Sequence, residues 1–335
     1  MTTGYTSISW SGRGKTEPGG PKKMSVRLFD CRDLPTLYRY RRKMVYLDSA
    51  LLLTQGPLAF PGAIMSFLAP AMGVVTCVKD GKRSQHPPLL GQFIHLNGSP
   101  LSHLTFISPT ETLEPERVCP LVEHLMFVSG ERGALRLLAD VEDGTPAFES
   151  LRKCSFVIYN RQRIWQLTTR RAGNSAIQNW RAVNSRDSLH VRNLYDSLVP
   201  GLVQQIEPFT SQKPRGMVYY QNGELLAYVE LKYGRRGIWV QPFIHPDAQD
   251  VPHHFTEMIK KLPGRRNRPI YICIRSYQSW LEPAIEELGA EAGARQAVMA
   301  RQLVVQQKAV RQFALPALEG GQPEITAPIA RLERQ

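Results

Sequence analysis

The chain has no C-x-x-C pair and no cysteine–histidine cluster at zinc-ligand spacing, so neither a structural zinc site nor a disulfide framework is expected. Its five cysteines (Cys31, Cys77, Cys119, Cys154 and Cys273) are scattered and lie mostly in apolar runs. They read as reduced thiols serving as small core residues, which points to a cytoplasmic protein. The start lacks an apolar stretch ending in a small-residue cleavage site, so no secretory signal is expected, and residues 1–24 read as a flexible basic tail. One segment, Ser49 to Val78, lacks charge altogether. Its length would suffice for a bilayer, but Gly56, Pro57, Pro61, Gly62, Pro70 and Gly73 break any helix there. Short helices or loops capping a core are expected instead, with no membrane insertion. Acidic residues are in the minority, 29 against 42 Lys and Arg, for a net charge of +13. That balance favours anionic partners (nucleic acid, an anionic surface, a phosphate-bearing cofactor) or simply a basic surface.

What is present has the hydrophobic content of a globular chain, and 335 residues suggest two domains. Val26–Phe29 reads as a strand and 34–46 as a helix, from the spacing of Leu34, Leu37, Tyr38 and Val45. Strands are expected at 73–78, 89–96 and 101–107, with Asn97-Gly98 as a hairpin turn between the last two. Val118, Leu121, Val122, Leu125 and Met126 mark an amphipathic helix over 116–128. A strand at 134–141, a helix at 146–153 opening on Pro146, and a strand at 156–167 complete the first half. The polar and basic stretch that follows reads as a linker over 169–187.

The pattern then recurs. Val26-Arg27-Leu28-Phe29 with Pro35 and Val191-Arg192-Asn193-Leu194 with Pro200 share V-R-x-[FL]-x5-P. Strands are expected at 217–220, 225–232, 237–244 and 269–274, with a helix at 255–262. Residues 135–156 align without gaps to 269–290, placing Ala139 on Cys273 and Cys154 on Leu288. The type of element over 297–313 stays open, and 314–335 reads as a flexible tail.

Each strand–turn–helix block ends in a form of L-x-x-x-G-F: Leu151-Arg-Lys-Cys-Ser155-Phe156 and Ile285-Glu-Glu-Leu-Gly289-Ala290. With the repeated element order, this resembles the GNAT (acyl-CoA N-acyltransferase) family in a tandem arrangement. The resemblance implies an α/β fold of two modules, 25–168 and 188–313. In each, a mixed sheet splays between its fourth and fifth strands and takes acyl-CoA or acetyl-CoA into the gap. A small-molecule amine or a protein substrate would be the acceptor, with no metal. The resemblance places the cofactor at Ile107, Ser108 and Thr110 in one half and at Ile244 in the other. Both loops depart from the family's glycine-rich pattern. Residues 108–117 carry Glu111, Glu114 and Glu116, and 245–254 carry Pro246, Asp247, Asp250 and Pro252, with no glycine in either. Carboxylates repel a diphosphate and proline removes amide donors. Leu151 and Ile285 stand where the family has a tyrosine. Acid–base candidates are then Tyr220, Glu230 and His245, set against their reading as ordinary strand residues. A catalytically inactive scaffold that binds a metabolite, protein or nucleic acid is the alternative.

Three further clusters bear on function. His253 and Glu257 share a helix face at i, i+4, but no third ligand is visible, so a solvated helix start is expected. Asp140 and Glu142-Asp143 end a strand and read as caps for the following helix. Arg152, Lys153, Arg161, Arg163, Arg170, Arg171, Arg181, Arg186 and Arg192, interleaved with Tyr159, Trp165 and Trp180, read first as an exposed linker kept soluble by its charge and second as a nucleic-acid surface, with no nucleic-acid-binding motif beside them.

Overall fold

A computed structural model describes residues 26–57, 64, 73–81, 87–168, 180–209, 214–264 and 268–303. The expected tails, 1–24 and 314–335, lie outside the described residues, as does 169–179 of the expected linker.

The first half begins with β1 (Val26–Leu28), followed by a 3-10 turn (Cys31–Asp33) and α1 (Leu34–Tyr40). Only this first part of the expected helix forms; Val45 belongs to β2 (Val45–Tyr46). Next comes α2 (Ser49–Gln55), whose N-cap Asp48 accepts from the Leu51 amide at 2.9 Å. The uncharged stretch thus does begin with a short helix, and among the described residues no helix is long and apolar enough to cross a membrane. Strands β3 (Val74–Lys79), β4 (Leu89–His95) and β5 (Leu101–Ser108) form an antiparallel meander. Helix α3 (Pro115–Glu131) buries Val118, Leu121, Val122 and Leu125, as its spacing requires. Strand β6 (Arg136–Glu142), helix α4 (Pro146–Lys153) and strand β7 (Val157–Leu167) follow.

The second half opens earlier than the expected boundary. Strand β8 (Trp180–Ala182) and a 3-10 turn (Ser185–Asp187) occupy residues assigned to the linker. Val191–Leu194 is not a strand. It lies in α5 (Ser188–Leu198), where Val191, Leu194 and Tyr195 face inward at i, i+3 and i+4. Then come α6 (Gly201–Ile206), β9 (Gly216–Gln221), β10 (Glu224–Tyr233), β11 (Ile238–Ile244), α7 (Val251–Lys261), β12 (Ile270–Arg275), α8 (Glu282–Glu287) and β13 (Glu291–Gln302).

Strand β1 therefore corresponds to β8, and the repeat that marks the correspondence is R-x-x-[DN]-x-R-D. In the first copy Arg27 grips Asp33 with two bonds of 2.7 Å, and in the second Arg181 grips Asp187 with two of 2.7 Å. Each aspartate also accepts a backbone amide at 2.9 Å, from Asp30 and Asn184 respectively. This clamp turns the chain from edge strand into helix in both halves.

All strands join one sheet in the order β1-β3-β4-β5-β6-β13-β7-β12-β11-β10-β9-β8, with β2 paired to β5. In each half four antiparallel strands lead to a parallel fifth, β5 beside β6 and β11 beside β12, so each half carries a mixed sheet as expected. The two halves thus repeat one order of strands and helices, with one exchange. The last strand of each half pairs with the fifth strand of the other: β13 lies against β6 and β7 against β12. At the centre β7 and β13 run antiparallel, and Gln162 stands opposite Gln296. Helices α3, α4, α7 and α8 cover one face of the sheet, while α1, α2, α5 and α6 cover the other.

The repeat alignment over 135–156 and 269–290 holds through the helix and its turn, where Ser155 and Gly289 both take positive φ. In the preceding strand it is one residue out. Ala139 faces α3 and α4, whereas Cys273 faces α2, so Cys273 corresponds to Asp140. The reduced-thiol reading is also corrected. Cys119 on α3 and Cys154 at the end of α4 form a disulfide, 35 residues apart in sequence. Packing of the two helices brings them together, which sequence spacing could not show. Cys77 and Cys273 are buried free thiols and Cys31 is exposed.

Candidate functional site

The parallel strand pairs diverge in both halves, but only one fork is left open. In the first half β5 and β6 pair only over Leu101–His103 and Arg136–Leu138. Beyond that point the chain's own segment enters the gap. Val45 and Tyr46 pair with Ile107 and Phe106, Leu47 N–H donates to Thr105 O at 2.9 Å, and Asp140 N–H donates to Leu47 O at 2.8 Å. The backbone groups of both diverging strands are thereby used.

This closure removes the expected cofactor residues of the first half. Ile107 is buried beside Val45. Ser108 Oγ donates to Lys43 O at 3.0 Å, and the Thr110 amide donates to the same carbonyl at 3.0 Å. The resemblance alone pointed to these positions, and the segment 43–49 occupies the space they were expected to offer.

In the second half β11 and β12 pair over Ile238–Val240 and Ile270–Ile272 and then part. Among the described residues no backbone segment enters this fork. Ile244 turns its side chain into the core under α7, and its carbonyl accepts from Gln278 Nε2 at 3.0 Å. On the α2/α5 face the fork opens into a cavity of about 910 Å³. Tyr195, Tyr228 and Phe243 make an aromatic wall, with Tyr228 and Phe243 stacked at 5.9 Å and Tyr195 tilted against Phe243 at 5.4 Å. His103 and Leu138 of the first half line it as well, so strands of both halves shape this cavity.

Arg275 ends β12 with its side chain 10% exposed, and it lines this cavity. Its Nη2 lies 3.3 Å from each oxygen of Glu207, while Nε and Nη1 are buried with no partner among the described residues. Glu207 also accepts from the Tyr159 hydroxyl, and the Tyr195 hydroxyl donates to the Glu207 carbonyl at 2.6 Å. Burial pushes the Glu207 pKa upward, but Arg275 and the Tyr159 bond outweigh it and leave the carboxylate below its ordinary value. Burial opposes the charge of Arg275, and Glu207 more than restores it. Asp140 faces the same side of the sheet and is not a cap; Thr145 caps α4 instead. Asp140 accepts the Ser49 amide at 3.2 Å, and burial raises its pKa against the pull of Arg275.

Of the three acid–base candidates, only Glu230 reaches the cavity, with its carboxylate 3.9 Å from Lys232 Nζ. The Tyr220 hydroxyl donates to Asp187 at 2.9 Å, so it belongs to the second Arg–Asp clamp. His245 stands beyond β11, with Nδ1 accepting from the Asp247 amide at 3.3 Å. The cavity residues that the sequence left unmarked are Glu207, Arg275 and Tyr195. A signal existed for Arg275: a charge directly after the apolar run Ile270-Tyr-Ile-Cys-Ile274 sits where a buried strand ends.

The helix start at His253 and Glu257 is not solvated as expected. Glu257 is buried, and His253 Nε2 and His254 Nδ1 each lie 3.8 Å from it. Among the described residues no group of three or more His, Cys, Asp or Glu side chains is arranged to hold a metal ion.

No family model matches the chain, and neither does any curated protein. Solved structures similar to it include a GCN5-related N-acetyltransferase from Sphaerobacter thermophilus, at 11% identity over 84% of this chain and 96% of that one, with a TM-score of 0.48. A tandem GNAT protein from the clavulanic acid biosynthesis pathway is similar at 13% identity, over 84% of this chain and 98% of that one, also with a TM-score of 0.48.

Proposed function

We propose that the chain is an acyltransferase-type protein with a single working cleft, the fork between β11 and β12, and that its first half has become structural. The observation that supports this reading is the asymmetry of the forks. One is hydrogen-bonded shut by residues 45–49, and the other opens on a cavity large enough for a small-molecule acceptor. The donor substrate would be an acyl-CoA or acetyl-CoA, its extended arm running along β11 from Gln241 to Ile244. An acceptor amine held in the cavity would attack the thioester carbonyl. The C–N bond forms, the C–S bond breaks, Glu230 takes the amine proton, and the thiolate takes one from water.

The arm of such a donor suits this fork, but the chain provides little for its diphosphate. Helix α7 starts at Val251-Pro252, so one amide of its first turn is missing, and the loop before it carries Asp247 and Asp250. Those carboxylates, with Gln278 bonded across the mouth of the fork, favour a second reading: a scaffold that holds a small ligand without transferring a group.

Calorimetric titration with acetyl-CoA and octanoyl-CoA decides between them. Saturable binding that is lost in Gln241→Trp, where an indole fills the fork, is the expected result. Failure of both thioesters to bind retires the transfer reading and leaves the scaffold.

A further inference from the structure

The basic run read from the sequence is largely engaged by the fold. Arg161 pairs with Asp143 at 3.3 Å, Arg163 with Glu282 at 3.4 Å and Arg181 with Asp187 at 2.7 Å. Trp165 and Trp180 are buried and offer no ring to a base.

Positive charge without a counter-charge lies on α1 instead. Leu34, Leu37 and Tyr40 pack into the core, which leaves Tyr38, Arg39, Arg41, Arg42 and Lys43 exposed on the other side. The nearby carboxylates already serve other cations. Arg27 grips Asp33, Arg32 lies 3.7 Å from Asp30, Lys43 lies 2.7 Å from Glu111, and Glu114 acts on the buried Arg117. Among the described residues no carboxylate pairs with Arg39, Arg41 or Arg42. Tyr38 is 57% exposed, and the Arg41 guanidinium lies 3.8 Å from the centre of its ring.

The framework itself does not require these residues. The Arg–Asp clamps align Asp33 with Asp187, and so Leu37 with Val191 and Tyr40 with Leu194, all four buried. Arg39, Arg41, Arg42 and Lys43 then correspond to Asn193, Tyr195, Asp196 and Ser197, while Arg192, at the position of Tyr38, is offset by Asp196. One helix of the repeat is therefore close to neutral and the other strongly basic. Like charges crowded on a short helix repel, so this corner suits a polyanion that relieves the repulsion.

We infer that the exposed side of α1 is a docking surface for single-stranded nucleic acid, with phosphates on Arg39, Arg41 and Arg42 and a base against the Tyr38–Arg41 stack. Arginine forks bind phosphate with paired bonds, and a flat ring with a guanidinium laid on it suits a base. A membrane fits less well, because the apolar residues of the helix are buried in the core and none is left to enter lipid. The surface belongs to the half whose fork is shut, and it asks nothing of the cleft between β11 and β12.

The test is fluorescence anisotropy of labelled oligo-dT, about 20 nucleotides long, titrated with the full chain. Saturable binding is expected at about 50 mM salt, with log K falling against log salt at a slope of about −2, as three phosphate contacts on a single strand predict. Arg39→Gln/Arg41→Gln/Arg42→Gln should weaken binding at least about tenfold and flatten that slope. Tyr38→Ala should weaken it at least about fivefold and leave the slope unchanged, because stacking releases no counterions. Arg152→Gln/Lys153→Gln/Lys260→Gln removes as many charges from the opposite face of the sheet and should bind like wild type. Every substituted side chain is exposed, so each variant should keep the wild-type circular dichroism melt. No binding at up to about 100 µM protein overturns the inference. So does a loss in the opposite-face variant as large as in the α1 variant, or wild-type binding by Tyr38→Ala. Phosphatidylserine vesicles or poly-glutamate that displace the labelled strand as readily as unlabelled oligo-dT would overturn it too, by replacing the partner.

Discussion

Ending the chain at Ala290 removes β13 and tests whether the halves are separate domains. The strand contributes Ala297, Val298, Met299 and Ala300, all buried, to the interior. Burying a Val or Met side chain is worth about 2 kcal/mol, so the two larger residues and two alanines together give roughly 5 kcal/mol. The void left behind adds to that cost. Seven β13 residues pair with β6 and eight with β7, so removal also strips hydrogen-bond partners from two central strands. Whole domains are stable by only about 5–15 kcal/mol, so this loss takes most or all of the margin. Although β13 belongs by sequence to the second half, the first half should lose its cooperative melt. A synthetic peptide covering 290–303 should restore the melt in a concentration-dependent way. Circular dichroism melts of the full chain, the truncation, and the truncation with peptide make the measurement. A truncated chain that melts within a few degrees of the full one would refute the exchanged pairing.

Gly216 takes φ +156, and a Cβ there would lie 1.8 Å from Val229 O, so Gly216→Ala should cost at least about 3 kcal/mol in urea unfolding. Gly98→Ala, at φ +81 but in open space, should cost only about 1 kcal/mol, and equal effects would contradict the geometry. Asp187→Asn weakens the clamp to Arg181, and with the carboxylate 4% exposed the loss should be about 2–3 kcal/mol at neutral pH. The bonds from Arg181 hold the Asp187 pKa well below the usual carboxylate range. The contribution is therefore fully present above the unfolded pKa of about 4 and is lost as pH falls through the folded one. Wild type and variant should converge in stability only in that acid range, and convergence near neutral pH would contradict the assignment. Reducing the Cys119–Cys154 bond, which closes a loop of 35 residues, should lower stability by roughly 3–4 kcal/mol; a reductant-insensitive melting temperature would argue that the bond does not form.

The sequence made the periodic elements legible and hid what depends on pairing partners. Helix 146–153 matched its expected span because Thr145 and Pro146 fix its start locally. The meander was readable from strand alternation and Asn97-Gly98. Strand exchange was not, because nothing within β7 or β13 specifies which fifth strand each will meet. The V-R-x-[FL] match failed since a Val, Leu and Tyr at helical spacing outweighed a four-residue likeness, while the Arg–Asp clamp lay unread in the supposed linker. The closed first fork was equally hidden. Val45 fitted a helix pattern, and only the approach of β5 shows that it continues as a strand. Of the acid–base candidates chosen by type and position, Glu230 lines the cavity. Glu207 and Arg275 act through each other across 68 residues, a distance over which periodicity carries no information.

The Gln162–Gln296 pair lies where the two halves face each other, and its amides form one bond of 2.9 Å from Gln162 Nε2 to Gln296 Oε1. Such a bond has a donor and an acceptor, so it cannot itself be symmetric. Cys273 Sγ donates to Gln162 Oε1 at 3.3 Å and Ser49 Oγ donates to Gln296 Oε1 at 3.0 Å, which fixes its direction. Ser49 arrives at the end of the segment that shuts the first fork. A half-length chain with this connectivity could complete its sheet only by trading strands with a second copy, and both copies would then need the same fork. Joining the copies in one chain makes their association independent of concentration and releases them from being identical. One fork can then be given over to holding the molecule together while the other remains free for a ligand.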